Sequence, residues 1–274
     1  MVKKLFKHEF IYYFRTFALF LPIVLVIGVM ARVFMLFRLF ENFDSVLVDI
    51  VIFSSTSMLV VACFALIMLS VVVAVVRFYK NMYSAEGYLT FTLPVNNAQH
   101  IFVKLLTAIC CQAICLLTVI LAAIIALSGE PLKDLVLALT AGLSEFFEVI
   151  GTVNAIIVIF ESILLMLLAV AGNMLLYYAC ITVGQTAKKN RILMAVGAYF
   201  IYYVATQVIS TVIVMIFTVL GMSGVFDGIV MWLDDHMILT MHLTMGVSIV
   251  IYAAMAVAFW FVTQSIMTKK LNLE

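Results

Sequence analysis

Charge is scarce in this chain, and so are the residues that break helices. Only 11% of its 274 residues are charged, whereas a soluble domain carries about a quarter. A water-soluble surface cannot be made from so few charges. Three prolines and 12 glycines leave the long apolar runs nearly uninterrupted, which argues against a secondary transporter built from broken helices in inverted repeats. The five cysteines, Cys63, Cys110, Cys111, Cys115 and Cys180, all fall inside apolar runs and form no C-x-x-C pair. They read as small buried hydrophobes rather than zinc ligands. The chain has no G-x-x-x-x-G-K-[ST] phosphate loop and no H-E-x-x-H, so neither an ATPase nor an intramembrane protease is expected within it. A net charge of +1 offers nothing to a nucleic acid.

What the chain does have is grease: 67% of its residues are hydrophobic, and the mean hydropathy is +1.28. About 20 apolar residues suffice for a helix to cross the hydrocarbon core of a bilayer. Six runs qualify: Phe17–Phe37, Ile50–Val76, Ile101–Leu127, Thr152–Val183, Ile192–Leu220 and Leu243–Gln264. Lys3, Lys4 and Lys7 precede the first run much as in a signal peptide. That run continues to about Phe37 without a small-x-small cleavage site, so it reads as an uncleaved span. The expected fold is an all-α integral membrane protein of six transmembrane helices, forming one membrane domain over residues 1–274.

The connections alternate in charge. One side gathers Lys3, Lys4, Lys7 and Arg15, then Arg77, Lys80 and Lys104, then Lys188, Lys189 and Arg191, then Lys269 and Lys270. These are 12 of the 15 basic residues. The positive-inside rule puts that side, with both termini, in the cytoplasm. The other connections hold Glu41, Asp44 and Asp49, then Glu130, Asp134, Glu145 and Glu148, then Asp227, Asp234 and Asp235.

Two further segments read as amphipathic helices. Over 2–16, Leu5, Phe6, Phe10, Tyr13 and Phe14 recur at helical spacing, with Phe17 continuing the pattern. Lys4, Lys7, His8 and Arg15 lie mostly off that stripe, as expected of a helix resting in the membrane interface. Over 131–150, Leu132, Leu135, Val136, Leu139, Leu143, Phe146, Phe147 and Ile150 follow the same rule on the outer side, and Pro131 suits the first turn.

One substantial break interrupts the grease. It runs from Arg77 to Lys104 as RFYKNMYSAEGYLTFTLPVNNAQHIFVK. Pro94 should stop a preceding helix or turn. Asn96 can cap the next helix, with Gln99 three residues on in capping-box spacing. Glu86-Gly87 offers a break after a long extension of the second span. Tyr83, Tyr88, Leu89 and Phe91 supply aromatic and apolar contact groups between them. The bland reading is a loop that merely reverses direction. A reversal needs only a few residues, however, and this segment is long.

The string Leu93-Pro94-Val95-Asn96-Asn97, followed by Lys104, resembles the membrane subunits of ABC transporters of the ABC type-2 permease family. EGYLTFTLPV, from Glu86 to Val95, looks like a variant common among small permeases of Gram-positive anaerobes. The motif covers about twenty residues, while the six-span layout fits along the whole chain. The polar run Asn-Asn-Ala-Gln lacks the basic residues often seen there, which puts a grip on phosphate headgroups in doubt. The resemblance implies that segment 77–100 carries a coupling helix docking on a separate ATPase subunit. Tyr83, Ser84, Glu86, Gly87, Tyr88, Leu89 and Thr90 would make the contact, flanked by Arg77, Lys80, Pro94, Asn96 and Lys104 at the cytoplasmic interface. ATP and magnesium would bind that partner and not this chain. It also implies pairing with a second permease, identical or paralogous, in a bacterial plasma membrane, and export of a hydrophobic, amphipathic or peptide substrate. The alternative is a non-transporting immunity or sensor protein of the same fold.

Two ionisable residues lie inside spans. Arg32 sits five residues before Phe37, and Glu161 about nine residues into the fourth span. Charges at such depth are costly and are usually paired or functional. Either the two face each other or share an aqueous cavity, or Arg32 snorkels outward and Glu161 is protonated against a neighbouring helix. Gln112, Asn154, Asn173, Gln207 and Gln264 are read as interhelical hydrogen-bonding groups. Asp234, Asp235, His236 and His242 carry possible metal ligands, but their spacing puts them on no common helix face, so a solvated acidic loop is the expected reading.

Overall fold

The computed structural model describes residues 2–40, 46–84, 87, 96–187 and 189–269. Among them every element is a helix and no strand occurs. In chain order these are α1 (Val2–Phe17), α2 (Phe20–Phe40), α3 (Val46–Tyr83), α4 (Asn97–Leu127), α5 (Glu130–Ile150), α6 (Thr152–Gly184), α7 (Arg191–Met222), α8 (Asp227–Asp235) and α9 (Met237–Lys269). Six helical segments are long and apolar enough to cross a membrane, which is the layout of an integral membrane protein. The helices run past the expected spans at most ends. α3 has 38 residues, about 57 Å at 1.5 Å per residue, well beyond a hydrocarbon core of about 30 Å. Its excess carries Arg77 and Asn81 past the last apolar turns.

The chain forms two compact units, Met1–Ser144 and Glu145–Glu274. In the first, α2 packs on α3 and α4, α3 on α4, and α1 mainly on α4. Small residues make these approaches close. Ala31 and Ala122 are fully buried and Ala74 and Ala108 nearly so. A β-carbon on Gly28 would come within 3.0 Å of the Ala122 carbonyl oxygen. Helix association in lipid relies on van der Waals packing of this kind, because the hydrophobic effect does not drive one apolar helix against another there. Large apolar side chains point away from the unit: Phe53 is 74% exposed and Val60 68%. Lipid satisfies such a surface and water does not.

In the second unit α6 packs along α9 and also against α7, while α8 adjoins α9. The α6–α7 turn is tight. Gly184 leaves no room for a β-carbon, which would stand 2.6 Å from Ala195 Cβ and 2.7 Å from the Arg191 carbonyl oxygen. Asn190 takes the left-handed conformation at φ 55°, a region Asn tolerates better than most residues. Its carbonyl accepts the amide of Met194 at 3.0 Å, starting α7.

α1 is helical as its periodicity predicts, but its packed side differs from the aromatic stripe. Glu9, Tyr13 and Phe17 are buried at spacings of four, while Phe14 is 55% exposed. Lys4, Lys7, His8 and Arg15 are exposed. At Gly28, enlargement should force α2 and α4 apart. Gly28→Leu is expected to cost about 1–3 kcal/mol, the usual price of overpacking, read as a lower denaturant midpoint in mixed micelles. Gly142→Leu, where a β-carbon meets nothing within 4 Å, should leave that midpoint unchanged.

Candidate functional site: a buried carboxylate at the foot of the α3–α4 break

α1, α3 and α4 converge on Glu9. Its carboxylate is only 3% exposed and, among the described residues, accepts hydrogen bonds from three side chains. Asn81 Nδ2 donates to Oε1 at 2.6 Å, Lys104 Nζ to Oε1 at 3.0 Å, and Arg77 Nε to Oε2 at 3.2 Å. Lys104 is itself buried, at 4% exposure. Arg77 also lies over the Tyr12 ring, with Cζ 3.9 Å from the centroid, a cation–π contact that further binds α3 to α1.

Helical spacing produces this convergence. Arg77 and Asn81 are four apart and share a face of α3, each immediately preceding a buried residue, Phe78 and Met82. Glu9 shares a face of α1 with Tyr13 and Phe17. Lys104 lies among Ile101, Val103, Leu105 and Ala108 on the packed side of α4. His100, one turn earlier on α4, is 1% exposed, and neither ring nitrogen has a hydrogen-bond partner among the described residues. An ion left alone at such a site would pay several kcal/mol in desolvation. Shared among two cations and an amide, the carboxylate is neutralised and its lone pairs are occupied. Chemically the arrangement is a tie.

The tie grips both sides of the break. Arg77 and Asn81 stand on the last turns of α3, which ends at Tyr83, and Lys104 stands two turns into α4. Tyr83 packs edge-on against Phe78 at 6.0 Å between centroids, and the Ser84 hydroxyl donates to the Lys80 carbonyl. The Gly87 amide donates to the Ser84 carbonyl at 2.7 Å. A β-carbon at Gly87 would fall 2.6 Å from the Met82 carbonyl oxygen, so only glycine fits there without a shift. Asn96 occupies the N-cap position of α4, with its carbonyl accepting the amides of Gln99 and His100. Its side chain makes no capping bond, so the expected capping box is present in position and not in hydrogen bonding. Lys80 is exposed. Glu86, Tyr88, Leu89, Thr90 and Pro94 lie outside the described residues.

Sequence reasoning passed over Glu9. The signal was there: it is the one acid among Lys3, Lys4, Lys7 and Arg15, and it falls in register with Tyr13 and Phe17.

The two charges inside spans have separate neighbours. Arg32 reaches the α4–α5 turn, where a β-carbon on Gly129 would lie 2.6 Å from its Nη2. Glu161 on α6 meets His242 on α9, with Nδ1 3.1 and 3.0 Å from the two carboxylate oxygens. His236 instead stacks on Trp232 at 4.6 Å between centroids. No group of three or more His, Cys, Asp or Glu side chains suited to a metal occurs among the described residues. No family model, curated protein or solved structure matches the chain.

Removing Glu9 takes away the carboxylate that Arg77 and Lys104 share. Glu9→Ala is expected to cost about 3–5 kcal/mol in micelle unfolding. Glu9→Ala with Lys104→Met should cost less than the two single changes added together; strict additivity would show that the contact carries no energy. In the second unit, Glu161→Ala and His242→Ala should each lower the unfolding midpoint, and the double variant should fall no further than the worse single one.

Proposed function

We propose that this chain is the permease subunit of an ATP-driven exporter of the ABC type-2 class. It spans a bacterial plasma membrane six times with both termini in the cytoplasm and works paired with a second permease. A separate ATPase, which binds ATP and magnesium, docks on segment 77–100 through Tyr83, Ser84, Glu86, Gly87, Tyr88, Leu89 and Thr90. The substrate is a hydrophobic, amphipathic or peptide molecule moved across or out of the lipid. α1 lies near the cytoplasmic interface beside the docking segment, and α5 lies along the outer face.

The observation that carries this reading is the Glu9 tie. A loop that only reverses direction has no need of a buried ion cluster fastening both its flanking helices to a third. A loop that receives force does. With α1, α3 and α4 joined through Glu9, a push on the segment moves three helices as one body instead of bending the loop. The charge bias of the connections and the Leu93-Pro94-Val95 string support the same assignment. The absence of a phosphate-binding loop from the sequence leaves the energy to another polypeptide.

Co-purification tests this directly. The chain should retain a candidate ABC ATPase when both are expressed together. Glu86→Ala with Tyr88→Ala should release the ATPase while the permease still accumulates in the membrane. Unchanged retention by that double variant would sink the docking assignment. Full peptide resistance in cells lacking the ATPase would favour a non-transporting immunity protein instead.

A further inference from the structure

His100 sits beside the Glu9 tie without joining it. Its ring is buried on the packed side of α4, one turn before Lys104, and neither nitrogen has a hydrogen-bond partner among the described residues. An unpaired buried polar atom is destabilising. A phenylalanine would fill the same space without that penalty. What an imidazole has and a phenyl ring lacks is the capacity to take a proton in the physiological range.

Among the described residues, the charges around His100 decide what that proton does. On α4 itself, Lys104 stands four residues on, the spacing at which like charges repel along one helix face. The His100 amide bonds to the Asn96 carbonyl at 3.2 Å, so the ring lies in the first turn of α4, where the helix dipole disfavours a cation. From α3, Arg77 reaches into the cluster, while Lys80 is exposed. On α1, Glu9 is the only acid; Tyr13 is buried one turn beyond it, and Lys4, Lys7, His8 and Arg15 are exposed. From α2, Arg32 lies at the opposite end of α4, beside Gly129. Burial and Lys104 therefore oppose a proton on His100, and Glu9 favours one. Glu9, however, is already shared by Asn81, Lys104 and Arg77. With His100 neutral, two cations face one carboxylate. With His100 protonated, three do.

We propose that His100 is the proton sensor of the Glu9 tie: neutral, it packs quietly beside the cluster, and protonated, it sets a third cation against one carboxylate and releases α1 from α4. An excess of buried charge is relieved by admitting water, and α1 is the element best placed to yield. It packs mainly on α4. Of its buried side chains, Tyr13 and Phe17 supply packing and Glu9 alone makes ion pairs. A buried imidazole that resists its proton stabilises the fold while neutral. That contribution is lost as pH falls below the ordinary histidine value of about 6.5, because the opened state then binds the proton more readily. Acidification thus loosens the helix that braces both flanks of the α3–α4 break. The inference concerns the tie itself and stands whether or not an ATPase docks above it.

Amide hydrogen exchange of the full chain in lipid nanodiscs tests it. Protection factors are compared between about pH 7.5 and about pH 5.5, the range in which histidine changes charge; their use removes the intrinsic pH dependence of exchange. In the unmodified chain α1 should lose about tenfold in protection over that range, the factor that one pKa unit of differential protonation supplies. α2 should keep its protection. His100→Phe should abolish the loss, and His8→Gln, at the exposed histidine of α1 itself, should preserve it. If His100→Phe folds poorly, His100→Gln, which takes no proton, should abolish the loss in its place. A second measurement uses the unmodified chain with carbon-13-labelled histidine. The imidazole signal absent from His100→Gln should titrate in step with the loss of α1 protection. Protection of α1 that is indifferent to pH overturns the inference. So does an undiminished loss in both His100 variants, a loss that His8→Gln removes, or a His100 signal that stays neutral while α1 opens.

Discussion

A carboxylate that water cannot reach must find its counter-charges inside the protein, and Glu9 finds them on two other helices. The first unit depends on that constraint. Each partner has a separate reason to be where it is. Arg77 and Asn81 end a span, Lys104 begins one, and Glu9 belongs to a helix that precedes both. Withdrawing any member breaks a buried contact in a place of low dielectric, where breaking a pair costs more than making it gained. The geometry of the α3–α4 break is therefore set by electrostatics beneath it as well as by the turn residues within it.

Lipid changes what every other polar group must do. In water a serine or threonine on a helix surface can bond to solvent. Here the hydroxyls of Ser70, Thr107, Thr118 and Thr182 donate to carbonyls three or four residues back, at 2.6 to 2.9 Å. They spend their hydrogen-bonding capacity locally and leave the helices free to pack through shape. Packing then falls to small residues, as at Gly28 against Ala122 and at Gly184 against Ala195. Where local satisfaction is impossible, for a carboxylate or a carboxamide, a second helix is required. Glu9 and Glu161 each have one.

Length and hydropathy made the six spans legible in the sequence, because a bilayer demands about 20 apolar residues and nothing else in the chain approaches that run. At Gly87 the close approach to the Met82 carbonyl leaves no room for a β-carbon, a constraint that a glycine in the sequence permits but does not announce. Glu9 carried a signal, its register with Tyr13 and Phe17, but an ambiguous one. Flanked by Lys4, Lys7 and His8 in one turn or so, it reads as part of a solvated basic face. Only the placement of α1 against α4 turns it inward, and that is a tertiary fact. The Glu161–His242 pair was missed for the same reason: 81 residues separate the partners, and hydropathy holds no information about which helices become neighbours. Arg32 lies beside Gly129 at the α4–α5 turn, a neighbour that its position in the span does not name.

The fate of each polar group inside the grease separates fold from function more sharply than composition does. A group that is satisfied by its own helix reports only on the solvent. One satisfied by a neighbouring helix of the same chain reports on the fold, as the Glu161–His242 contact does for α6 and α9. The Glu9 cluster does the same for α1, α3 and α4, and because its members come from three separate stretches of the chain it ties the two flanks of the break to a third helix rather than one helix to its neighbour.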